Sequence, residues 1–276
     1  MNHSIAPARQ LRAFDVRPLL IPLSALGLLA IVGSFVVARS HGYDLFAYWI
    51  VNPADPYTAH RWEQGGFNYA PPMALLLAPL GLLSWEAAEI VWLGLQLVAL
   101  WYIGRRWFLV LVLFPPVWLD IVYGNVNVFL AAMIVAGLRY PGVWAFGALT
   151  KVTPGLGMTW FAVRREWRSL AIATSATVTV ALVSLVLQGP AVWEDWLNVL
   201  SQSGNIPTET SLPIPLAPRA ALGLVLIAWG ALHDRRWTIP VAITLAMPTL
   251  WVIALAPLVA VFHPPSERRQ RDIAIA

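Results

Sequence analysis

Apolar residues in this chain fall in long blocks, at about 19–37, 72–83, 87–103, 108–122, 126–138, 142–163, 169–187, 213–232 and 239–262. Blocks of this kind predict membrane-embedded helices, and several are shorter than the ~20 residues a straight span needs. The first block is too long for a signal-peptide core and has no small-residue cleavage site behind it, so it is expected to remain as a transmembrane helix. Arg9, Arg12 and Arg17 precede it and place the N-terminus in the cytoplasm by the positive-inside rule.

Arginine clusters close many of the later blocks: Arg105/Arg106, Arg139, Arg164/Arg165/Arg168, Arg235/Arg236 and Arg268/Arg269/Arg271. If all of them are cytoplasmic, the blocks 142–163 and 239–262 must each leave and return, turning near Lys151 and Pro154 in the first and near Pro248 in the second. Such turns at membrane depth need protein or water around them. Between 71 and 106 either the Arg105/Arg106 pair breaks the rule or the 72–83 piece does not cross fully. The 22 prolines sit largely in or beside the apolar blocks, where each removes an amide donor and kinks or ends a helix.

Two segments read as external loops, at about 40–71 and 188–212, with a cytoplasmic tail at about 263–276. In the second loop Trp193, Trp196, Leu197 and Leu200 follow helical spacing and predict an amphipathic helix lying in the interface. The fold expected is an all-α polytopic membrane protein, one integral membrane domain over 1–276, with about 9–11 transmembrane or partly spanning helices and interfacial helices in the outer loops.

Composition agrees: 59% of residues are hydrophobic and 12% charged, against about 45–50% and 25% in soluble domains, and the mean hydropathy is +0.67. The net charge of +4 is spread as short clusters between apolar blocks, which reads as topology rather than as a nucleic-acid surface. With no cysteine, disulfides, thiolate nucleophiles and cysteine-ligated metal sites are excluded.

Lys151 is the only lysine and lies inside an apolar block. A lone ammonium at membrane depth is costly unless it faces a cavity, a partner or an anion, so it is a candidate for anion binding; snorkelling to an interface or pairing with a helix carbonyl is the alternative. Asp44, just before an apolar interfacial helix, is either its N-cap or a catalytic base. Asp55, followed by Pro56, reads as a turn residue. Asp120, Gly124 and Asn127, at i, i+4 and i+7, are expected to share one helix face, with Asp120 the second-choice base or a partner of Lys151 or Arg61.

Several short motifs come in one order: Asp44-Leu-Phe-Ala-Tyr48, Pro56-Tyr57, Phe67-Asn-Tyr69-Ala-Pro71, Gly124-Asn125-Val126-Asn127, Lys151-Val-Thr-Pro154, the arginine-rich end at 164–168 and Met247-Pro248. In order and approximate spacing they resemble glycosyltransferase family 87, membrane mannosyltransferases of the GT-C superfamily that use a polyprenyl-phosphate-mannose donor. The resemblance covers roughly 44–168, and Asn125 stands where the family usually has glutamine.

The resemblance implies a GT-C-like bundle and a hexosyltransferase, with mannose as the sugar, that acts on the outer side of the cell membrane. The sugar would pass to a lipid or glycan hydroxyl with inversion, without a metal or other cofactor. Asp44 would be the base and Lys151 would belong to the donor-phosphate region, with Arg61, Asn125 and Asn127 behind it and Tyr48 and Tyr69 among the substrate-binding residues. A transporter of lipid-linked sugar or small anions would instead place ionisable groups at the midplane of two related halves. A non-catalytic membrane subunit would leave Asp44 and Lys151 unrelated in space.

Overall fold

A computed structural model of the protein describes residues 41–59, 63–202 and 214–263. The expected first span at 19–37, Arg61 and most of the C-terminal tail lie outside the described residues. Among the described residues the fold is all-helical, without a β-strand.

The chain opens with a short helix, α1 (Tyr43–Trp49), and a loop returns it to α2 (Pro71–Leu77), which tightens into a 3₁₀ turn at Ala78–Leu82. Ser84 then caps α3 (Trp85–Gly104), its hydroxyl accepting from Ala87 N–H at 3.3 Å. After the arginine pair come α4 (Phe108–Leu113), α5 (Pro115–Tyr123) and α6 (Asn127–Gly137). Phe114 and Pro115 therefore split the expected 108–122 block in two. Phe114, forced out of the helical region at ψ 115° by the proline that follows, is the physical cause.

Next are α7 (Trp144–Lys151), a 3₁₀ segment Thr153–Met158 and α8 (Thr159–Val163). The chain continues with α9 (Trp167–Gln188), α10 (Pro190–Ser201), α11 (Leu216–Leu232), α12 (Thr238–Leu245) and a 3₁₀ coil at Val252–Phe262 interrupted by Pro257.

Two helical segments are long and apolar enough to cross a membrane, Trp85–Leu113 and Trp167–Gln188, and the bent pair α5 and α6 is a third candidate. The helices Pro71–Leu82, Leu216–Leu232 and Val252–Phe262 are apolar but shorter. Full spans among the described residues are thus fewer than the apolar blocks, because prolines and glycines cut those blocks into pieces. Within 71–106, Pro71–Leu82 is too short to cross as a straight helix of about 1.5 Å rise per residue.

α6 is the axis of the bundle. Through Leu130, Met133 and Ile134 it packs against Trp144, Trp160, Ile227, Ile239 and Ile243 of α7, α8, α11 and α12. Through Val128 and Ala131 it packs against Leu100, Leu111, Val117 and Ile121 of α3, α4 and α5. A helix apolar on all sides is stable only when surrounded, and α6 is. α9 is the opposite case, since only 11% of its apolar window is buried and Val178, Leu182 and Val186 face outward. Lipid is the solvent that such a surface fits.

The amphipathic helix expected in the second loop exists as α10, but its apolar face is turned. Val192 is buried, Trp193 and Trp196 pack edge to face over Ala70, Ala145 and Leu149, and Leu197 is 56% exposed. The helix is docked on protein through the tryptophans, which moves Val192 inward and leaves Leu197 out.

Candidate active site

The break in α7–α8 falls where the arginine bookkeeping put it. Lys151 ends α7, and Val152 takes φ 58°, ψ −59°, a sparsely populated γ-turn conformation for a β-branched residue that breaks the helix. The second expected turn is present too, because α12 ends at Leu245 and 246–251 is non-helical. Buried Arg219 holds that segment, donating to the carbonyls of Leu245 (2.7 Å), Met247 (2.8 Å) and Pro248 (3.3 Å). These are the orphan acceptors at a helix C-terminus that need a donor.

Lys151 and Ile253, each beside one of these breaks, reach the corner between α5 and α6. Gly124, at φ 69°, ends α5 in the left-handed conformation, and the two helices bend by 115°. Asp120, Gly124 and Asn127 therefore do not share one helix face, as their spacing predicted. The left-handed glycine stops α5 before a further turn can form. The corner still joins the two polar residues: Asn127 Nδ2 donates to Asp120 Oδ1 at 2.8 Å, and the Val128 N–H donates to Asp120 Oδ2 at 3.0 Å. With both oxygens engaged at the start of α6 and no exposure, the Asp120 carboxylate serves the first turn of that helix.

Asn125 and Asn127 then present their amide oxygens to one ammonium. Lys151 Nζ donates to Asn127 Oδ1 at 2.7 Å and to Asn125 Oδ1 at 3.2 Å. Asn125 Oδ1 also accepts from Val126 N–H at 2.7 Å, which turns Nδ2 outward to donate to Asp44 Oδ2 at 2.8 Å. One asparagine side chain thus lies between the carboxylate of the first loop and the lysine. The ammonium has three donors and meets two neutral oxygens; among the described residues it hydrogen-bonds no carboxylate, so one N–H remains for a ligand.

Asp44 does not cap α1. Gly42 holds the N-cap position at φ 66° and its N–H donates to Val122 O at 2.7 Å, so Asp44 falls inside the first turn. Its carboxylate is thereby free to leave the helix. Burial raises the Asp44 carboxyl above its ordinary range, while the Asn125 hydrogen bond and the Lys151 charge pull it back down.

Tyr48, one turn on from Asp44, shares a buried 2.6 Å hydroxyl contact with Tyr69, whose carbonyl accepts from Tyr57 at 2.7 Å. The Tyr57 hydroxyl is raised far above its usual value by burial and by the neighbouring Asp195 charge, which marks where α10 meets the first loop. Gln188 ties the same loop down, donating to Pro53 O at 2.7 Å. Asp55 lies in a turn, its N–H donating to Asn52 O, as expected.

Two contributors are not among the residues singled out from the sequence. Gln96 Nε2 donates to Asp120 O (3.3 Å) and Asn125 O (3.0 Å), and Ile253 O accepts from Asn127 Nδ2 at 3.2 Å. An amide in the middle of an apolar span was the available signal for Gln96. A backbone carbonyl leaves none.

A cavity of about 630 Å³, walled by Met73, Leu77, Trp92, Phe129 and Phe146, reaches Val126, the residue between Asn125 and Asn127. It is within the ~300–1,000 Å³ of small-molecule sites.

The joint between the loop and the corner gives a direct stability test. A Cβ on Gly124 would stand 2.6 Å from Leu45 Cβ, so Gly124→Ala adds a steric clash to the ~1–2 kcal/mol of left-handed strain. A drop in melting temperature of several degrees is expected by differential scanning fluorimetry in detergent, and an unchanged temperature would contradict the close docking of α1.

Residues 67–275 match the description of glycosyltransferase family 87. Among curated proteins the chain is similar to a polyprenol-phosphate-mannose-dependent alpha-(1-2)-phosphatidylinositol mannoside mannosyltransferase of Mycobacterium tuberculosis, at 25% identity, with 51% of this chain and 41% of that protein covered. The chain therefore spans less than half the length of that relative. No solved structure matches. The matched region holds Asn125, Asn127 and Lys151 and begins after Asp44. With most of its length under that one match, the chain belongs to glycosyltransferase family 87.

Proposed function

We propose that this protein is a multi-pass membrane hexosyltransferase that moves mannose from a polyprenyl-phosphate donor to a lipid or glycolipid hydroxyl on the outer side of the cell membrane, with inversion at the anomeric carbon. The observation that carries this reading is the Asn125 side chain, bonded at one end to Asp44 and at the other to Lys151. A base for the acceptor and a cation for the leaving group are thereby held in one cluster.

In the proposed step the acceptor oxygen attacks the anomeric carbon, Asp44 takes its proton, and the bond from that carbon to the phosphate oxygen breaks. Phosphate departs without protonation, so one carboxylate suffices where glycoside hydrolysis uses two. The remaining Lys151 N–H meets the charge left on phosphate, held in place by Asn125 and Asn127 so that little reorganisation is needed. Asp120 orients Asn127 in this scheme. Tyr48 and Tyr69 line the sugar side, and the apolar cavity beside Val126 receives the prenyl chain.

The outer-side orientation is supported by the positive-inside rule. Arg164 donates to Ala231 O at 3.1 Å and pairs with Asp234 at 3.4 Å, gathering two arginine-rich helix ends together. The relative's name makes a phosphatidylinositol mannoside the first acceptor to try.

The test supplies purified protein with radiolabelled polyprenyl-phosphate-mannose and phosphatidylinositol mannosides or other glycolipids. A labelled product whose anomeric configuration is opposite to the donor's is expected. No transfer from any polyprenyl-phosphate hexose would sink the reading, and retained configuration would exclude direct displacement.

A further inference from the structure

α3 carries three buried polar atoms that have no hydrogen-bond partner among the described residues: Glu89 Oε1, Trp92 Nε1 and Gln96 Oε1. Their spacing of i, i+3 and i+7 puts them on one face of the helix. All three residues line one small cavity of about 10 Å³, bordered also by Gly42, Leu45, Ile121 and Gly124. Gln96 is 0% and Trp92 5% exposed, so bulk solvent does not serve them. Buried polar atoms are rarely left in that state, because losing water without a replacement bond is costly.

The amide of Gln96 cannot solve this by turning over. Its Nε2 donates to the carbonyls of Asp120 and Asn125, and an oxygen in that place would face two others. Oε1 therefore stays on the other side of the amide, in a residue that lines the cavity, and needs a donor. Glu89 Oε1 is ion-paired with His41 Nε2 at 3.2 Å and, with two lone pairs, has room for a second donor. Trp92 Nε1 is a donor only and needs an acceptor.

One acceptor and two donors are what a single water offers. A cation is opposed by the indole hydrogen, and an anion by the carboxylate. A space of roughly 10–15 Å³ measured in this way holds one water.

We propose that this cavity is the binding site of one ordered water, which accepts from Trp92 Nε1 and donates to Glu89 Oε1 and Gln96 Oε1. Its place in the fold gives it a positioning role. On one side Gly42 leads into α1 and Asp44; on the other, Gln96 holds the Asn125 peptide. The water ties α3 to both halves of the polar cluster, and the inference stands whether or not the chain transfers a sugar.

The first test is a density map of the purified, unaltered protein by crystallography or electron cryomicroscopy. A single peak within hydrogen-bonding distance of all three atoms is the expected result. A dry cavity, direct pairing among the three side chains, or a peak with the anomalous signal of an ion overturns the proposal.

A double-mutant cycle on melting temperature is the second test, using Trp92→Phe, which removes the donor with little loss of bulk, and Glu89→Leu. Each single change is expected to lower the melting temperature, and the pair to lower it by less than the sum, because either one releases the same water. Losses that simply add would show that no molecule is shared. Should the Glu89 variant fail to fold, the density map decides the matter alone.

Discussion

Asp44→Asn is expected to lower sugar transfer roughly 10²- to 10⁴-fold, the span that a positioned general base contributes. The substitution is nearly isosteric, and an asparagine oxygen can still accept from Asn125 Nδ2, so the 2.8 Å contact has a replacement and the fold should survive. Turnover and melting temperature measured on the same preparation separate the two effects: activity falls while the transition stays in place. Transfer at the unaltered rate would remove Asp44 as the base.

The pH profile supplies an independent reading of the same group. A base works as the carboxylate, so activity disappears as pH falls through its pKa. Burial raises the Asp44 pKa, which puts the acid limb above the ~3.9 of an ordinary aspartate. The Lys151 charge is among the causes that lower it. Replacing the lysine with an uncharged residue should therefore move the limb further up, and a limb that stays in place or moves down would contradict the electrostatic link between the two.

The second large effect belongs to that lysine. Lys151→Met is expected to reduce turnover about 10²-fold or more, the usual cost of removing one preorganised group that stabilises developing charge. Methionine keeps the apolar stem and discards the ammonium, leaving Asn125 Oδ1 with the Val126 N–H and Asn127 Oδ1 without the donor it has in the native protein. Lys151→Arg should not restore the rate. The guanidinium is a planar fork that cannot reproduce a compact point charge between two amide oxygens 2.7 and 3.2 Å away. Full activity in either variant would show that the leaving phosphate is stabilised elsewhere.

Some of this architecture was legible before any coordinates. The breaks after Lys151 and before Val252 follow from charge bookkeeping: if arginine clusters stay on one side, a 22- or 24-residue block between them has to turn. Asp44 and Lys151 stood out because a carboxylate among aromatic residues and a lone ammonium in an apolar block are both costly to desolvate.

Other features depart from what local sequence implies, for identifiable reasons. The α10 face was assigned from spacing alone, but which side is buried depends on what stands beside the helix, and there the partner is protein. Asp44 was weighed as a cap because its position before an apolar helix allows it, yet Gly42 already fills that role. The run through Asp120 and Asn127 looked like one helix, since the conformation of Gly124 depends on its docking against Leu45.

Membrane residence, helical class and the inventory of chemically competent groups follow from composition and order. Transfer free energies act residue by residue, and lipid permits an exposed backbone no hydrogen bonds other than those within a helix or a closed barrel. Which of those groups work together is a different matter. The contact between Asp44 and Asn125 spans 81 positions and that between Asn127 and Ile253 spans 126. No local pattern encodes such pairs; they exist because packing around α6 brings two helix breaks and a loop to one corner.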